Sequence, residues 1–170
     1  MEIPDSVHAE IQDLCAEGDV LVEMGEATQA YENYIAALAL VPEPKETFNA
    51  TTWILAALGD LYFNSKDFAQ TAQVMTDAMK CAGGLGNPFL HLRLGQAQFE
   101  LNNELRAADE LCRAYIGAGK TIFEKEDQKY FEFLKTKITP PANGQWSSHY
   151  THLLNAAGKL FTFNELQAPL

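Results

Sequence analysis

The stretch Gly117-Ala-Gly-Lys-Thr121 holds the residue types that cradle phosphate: glycines that let backbone N–H groups approach an anion, then a lysine and a hydroxyl. A full phosphate-binding loop also needs a glycine five positions before the Gly-Lys-Thr triplet, a buried strand leading in and a helix leading out. Position 114 is alanine, and the lead-in places apolar side chains at 107, 108, 111, 112, 115 and 116. That is helical spacing, so the glycines read as a helix stop, and no nucleotide is expected at Lys120.

Other chemistry finds little footing. His149 and His152 stand three apart, but no cysteine or acid nearby completes the three or four ligands a metal needs. His8 lies near one end, and His91 falls at an apolar register position that suits a satisfied core histidine. Cys15, Cys81 and Cys112 show no CxxC pairing and no histidine within sequence reach, so reduced thiols are expected. No catalytic residue, metal or cofactor is expected, and the chain does not read as an enzyme.

Charge is more informative. The 170 residues carry a net charge of −11, yet residues 1–44 hold ten carboxylates and no Lys or Arg, while residues 45–170 net only −1. Such a surface repels nucleic acid and steers a basic protein toward itself. No apolar run approaches the roughly 18 residues of a membrane span. The acidic start, Met1 to His8, lacks the apolar core of a signal peptide, so a cytoplasmic protein is expected.

The elements that must position these residues are helices. Apolar periodicity predicts helices over 7–24, 27–41, 47–64, 67–81, 88–101, 104–117 and 124–137, with residues 139–145 as a Pro/Gly linker and 146–170 as a C-terminal helical segment. Three segments share a register. Gly18, Gly59 and Gly95 are each followed 16 positions later by an apolar residue (Tyr34, Met75, Leu111) and 19 positions later by alanine (Ala37, Ala78, Ala114). Twelve positions after each glycine stand Ala30, Thr71 and Ala107. The glycine lets the second helix approach the first, and the apolar residue fills the gap. Glu17 and Gln98 depart from the pattern, at positions expected to be apolar and aromatic. The glycine intervals of 41 and 36 residues put seven extra residues in the Pro-rich stretch 41–49 and two in the loop 81–88.

This pattern resembles the tetratricopeptide repeat (TPR), a 34-residue helix–turn–helix unit. The resemblance implies an all-α, right-handed α-solenoid of three hairpins and a capping helix over residues 1–138. It further implies that the first helix of each hairpin lines a concave protein-binding surface. Carried over by register, that surface comprises Gln12, Cys15, Asp19, Val22 and Glu23, then Trp53, Ala56, Asp60, Phe63 and Asn64, then Phe89, Leu92, Gln96, Phe99 and Glu100. Its mixture of aromatics and acids suits a partner bearing Arg or Lys. Members that grip the acidic tails of heat-shock chaperones use Lys and Asn where this chain has Cys15 and Asp19; only Arg93 would match, so that role is not expected. Residues 83–95, 130–135 and 140–146 look like those of small bacterial members that act as immunity proteins, many of whose toxins are basic nucleases. The expected partner is a basic toxin domain; a secretion chaperone for translocator proteins, or a generic scaffold, is the alternative.

Overall fold

The computed structural model describes residues 3–139 and Trp146. Among them are seven α-helices and two short 3-10 turns, with no strand: α1 (Asp5–Glu23), α2 (Ala27–Leu40), α3 (Asn49–Asn64), α4 (Phe68–Ala78), α5 (Pro88–Glu100), α6 (Glu104–Ala118) and α7 (Gln128–Lys137). They gather into two compact units dividing after Leu85, the first holding α1 to α4 and the second α5 to α7. The predicted linker and C-terminal segment fall, apart from Thr139 and Trp146, outside the described residues.

The glycine register becomes the packing of each hairpin. A Cβ at Gly18 would lie 2.6 Å from the Tyr34 ring, one at Gly59 would strike the tail of Met75, and one at Gly95 would lie 2.8 Å from the Leu111 side chain and 2.9 Å from its backbone nitrogen. Ala37, Ala78 and Ala114, together with Ala30, Thr71 and Ala107, are fully buried. Burying one Leu111-sized side chain in such a seam contributes about 2 kcal/mol.

Each hairpin turns by the same backbone device. Gly25, Lys66 and Asn102, each seven positions after the register glycine, adopt left-handed φ values of 82°, 62° and 60°. The following N–H reaches back across the turn each time: Glu26 to the Leu21 carbonyl, Asp67 to Tyr62 and Asn103 to Gln98, at 2.8–2.9 Å. Capping follows familiar chemistry. Asp67 accepts from the Gln70 amide, and Asn87 accepts from the Phe89 amide with Pro88 in the first helical position.

The extra residues between α2 and α3 are pinned in place. Lys45–Thr47 form a 3-10 turn, Phe48 is buried, the Thr51 hydroxyl donates to the Lys45 carbonyl at 2.6 Å, and the Ala82 amide donates to the Glu46 carbonyl at 2.8 Å. Gln98 accepts from the Asn103 side-chain amide at 3.0 Å, so its polar end is satisfied where an aromatic was expected. Glu17 is simply exposed. The last helix begins at Gln128 rather than 124. Residues Lys120–Phe123 instead take a 3-10 turn, and Asp127 caps α7 by accepting from the Lys129 amide.

Candidate protein-binding face

In the first unit, the same face of α1 and α3 brings together Asp19, Glu23 and Asp60. Asp19 is half-buried and accepts a 2.7 Å hydrogen bond from the hydroxyl of Tyr34, the ring that packs against Gly18. Its carboxyl is pushed above its ordinary pKa, first by burial and then by the nearby Glu23 and Asp60 charges, against the opposing effect of the Tyr34 hydrogen bond. Asn64 donates to Asp60 at 3.2 Å, while Glu23 is exposed. One turn after another toward the start of α1 come half-buried Gln12 and His8, whose ring lies 6.1 Å from that of Trp53 on α3. Trp53 is itself half-buried. Phe63 turns toward α4 and meets Phe68 edge-on at 5.5 Å. Cys15 lies buried under this face, its thiol pushed up to about 12 by burial and by Asp19, which makes it an inert packing residue.

The second unit uses the matching positions differently. Gln96 is 0% exposed: it donates to Glu126 at 2.8 Å and accepts from Arg93 at 2.8 Å. It therefore cannot touch a partner, contrary to the sequence expectation, because the segment after the 3-10 turn closes over it. Arg93 is buried and ion-paired to Glu126 at 3.0 Å, with its guanidinium 5.4 Å from the Phe89 ring centre. Glu100 pairs with Lys129 and accepts from the Tyr130 hydroxyl, both at 2.7 Å. Phe99 is covered by Tyr130 and Phe133, with ring centres 5.5 and 5.0 Å away. Nothing local in the sequence announces these closures, since their partners lie some 30 positions away; the one available signal was an alternation of acid and base over 124–129.

The phosphate-like stretch resolves as a helix end. Gly119 terminates α6 with φ 70°, its amide donating to the Tyr115 carbonyl at 2.7 Å, and the Thr121 hydroxyl donates to the Ala118 carbonyl at 2.9 Å. Two groups that a phosphate would need are thus held by the helix itself. Lys120 borders a cavity of about 390 Å³ walled by Phe123, Phe131, Lys135 and Trp146, but Lys135 is paired to Glu132 at 2.6 Å. His91 is buried with its Nδ1 2.6 Å from Glu110, the satisfied core histidine its register suggested. Among the described residues no three His, Cys, Asp or Glu side chains gather as a metal set, and no helix is long and apolar enough to cross a membrane. His149 and His152 lie outside the described residues.

No family model matches the chain, and no curated protein matches it in sequence. Its fold is similar to two solved TPR domains. One is the C-terminal TPR-containing domain of a Plasmodium falciparum FK506-binding protein, with TM-score 0.59 and 16% identity over 76% of this chain and 87% of that one. The other is the Sgt2 TPR domain from Aspergillus fumigatus, with TM-score 0.57 and 16% identity over 88% of this chain and 83% of that one. The fold class is therefore all-α, an array of TPR-like helix hairpins, as the glycine register implied.

Proposed function

We propose that the chain is a non-enzymatic protein-binding module whose α1–α3 face receives a basic protein surface, and that it acts as an immunity protein neutralising a cognate basic toxin by direct binding. The observation that carries this reading is the convergence of Asp19 and Glu23, from a stretch with no Lys or Arg before residue 45, with Asp60 of α3, the latter two adding to burial in raising the carboxyl of the first. A cationic side chain placed there relieves the repulsion among the three acids. Trp53, half-buried on the same unit, supplies a flat apolar platform for the stem of an Arg or Lys. The TPR-like fold supports protein binding in general, and the acid cluster supports the choice of a basic partner. A translocator chaperone, the alternative, would have to seat an apolar segment against these same carboxylates at a desolvation cost.

The test starts from the product of the gene adjoining this one. If it is a basic toxin, co-expression with this chain restores growth, and the Asp19→Lys, Glu23→Lys double variant does not. In surface plasmon resonance on the purified pair, the double variant slows association and flattens its salt dependence. Trp53→Ala chiefly speeds dissociation, costing about 2 kcal/mol. Association that is unchanged by the charge reversal makes the acidic face a solubilising surface only. A neighbouring translocator gene whose apolar segment binds instead favours the chaperone.

A further inference from the structure

Helix α6 is apolar on two sides. Ala107, Leu111, Ala114 and Ala118 face the core and are buried. On the opposite side Leu105 is 89% exposed and Ile116 53% exposed, with half-exposed Ala108 and Cys112 between them. The spacing 105, 108, 112, 116 makes a single outward stripe along a helix about 22 Å long. Beside the middle of the stripe Arg113 and Asp109 form a 2.9 Å ion pair, and both side chains are more than half exposed.

We propose that this face pairs, antiparallel, with the same face of a second copy of the chain. A twofold axis passing between residues 110 and 111 sets Leu105 against Ile116 of the second copy. The same operation sets Asp109 opposite Cys112 of the second copy, one residue (about 1.5 Å along the axis) from its Arg113, which the long Arg113 side chain spans. The two intrachain ion pairs then close into a ring of four alternating charges flanking the apolar contact. An isologous interface demands such self-complementarity, since whatever residue i meets at j must be met at j by i. A parallel pairing would instead set Asp109 beside Asp109. The rest of the unit favours a copy over a charged partner, because residues 86–170 carry nine acids and nine bases and no net charge. One helix face is a small interface, so the dimer is weak.

Sedimentation equilibrium of the full chain, from low micromolar to several hundred micromolar, tests this. The wild type is expected to shift from monomer to dimer across that range. Leu105→Glu weakens association at least about tenfold. Asp109→Arg and Arg113→Asp each weaken it, and the two combined restore it, because the ring of charges is rebuilt with signs exchanged. Far-UV circular dichroism confirms that these surface variants remain folded. A wild type that stays monomeric throughout overturns the proposal, whether the stripe is bare or covered by the chain's own C-terminal residues. So does association that survives Leu105→Glu, or a double charge exchange no better than its parents.

Discussion

Residues 1–85 carry fourteen acids and three bases, a net charge of −11, whereas residues 86–170 are neutral. The two units resolve the matching helix face in opposite ways. On α1 and α3, Asp19 lies close enough to Glu23 and Asp60 for their charges to help burial raise its carboxyl. On α5, the chain answers its own polar groups: Glu126 meets Arg93 and Gln96, while Lys129 and Tyr130 meet Glu100. Register within a repeat thus decides which way a residue points, but not whether it is available. Availability depends on what the following segment brings to it.

The largest test of this contrast removes the internal carboxylate. Glu126→Ala removes an ion-pair partner of buried Arg93 and the acceptor of buried Gln96, and should cost about 2 kcal/mol. Urea unfolding followed by hydrogen exchange should place the loss in α5 and α7 and spare α1 to α4; a loss spread evenly over both units would mean that the contrast is not real. Next, Gly95→Leu should cost about 2 kcal/mol through overpacking, because a side chain there meets the Leu111 backbone, which cannot swing aside. Gly59→Ala should cost less, since only the flexible tail of Met75 is in the way. Equal losses in melting temperature would show the two hairpins to be equally tight.

A gain is expected at Lys66. It holds the left-handed φ that Gly25 holds at the same register, so Lys66→Gly should stabilise the second hairpin by up to about 1 kcal/mol. Unchanged or lowered stability in chemical denaturation would mean that the turn is not strained. The smallest effect concerns Asp19. Its carboxyl titrates above the ordinary value, so the folded chain holds a proton that the unfolded chain has already released, and its contribution to stability is lost as pH rises from the ordinary carboxylate range through the raised value. Asp19→Asn should therefore melt slightly higher than the wild type at neutral pH, with the gap closing in acid. A gap independent of pH would remove the argument that the Asp19 carboxyl titrates above its ordinary value.

Most of the helix pattern is legible in the sequence because the spacing of glycine, apolar residue and alanine reflects a local steric need, the approach of two adjacent helices. The helix end at Gly119 is legible for the same reason. The start of α7 is not: residues 124–127 have helix-forming composition, but the Asp127 cap and the preceding 3-10 turn override it. Nor could the sequence show that Lys66 and Asn102 take the conformation of Gly25, since neither residue type demands it. The closure over Gln96 lies furthest from reach, because it is made by groups some 30 positions away whose meeting depends on how a whole unit packs.

The chain's two tryptophans fall one to each unit. Trp53 sits beside the His8 imidazole, and Trp146 rests edge-on to Tyr115 and Phe131, each ring centre 5.7 Å away. Replacing either by phenylalanine leaves a single indole whose emission colour reports the wetting of its own half of the chain. Partner docking on the acidic face should shift the light of the variant that keeps Trp53 and leave that of the variant that keeps Trp146 unchanged, giving an optical assay that needs no label.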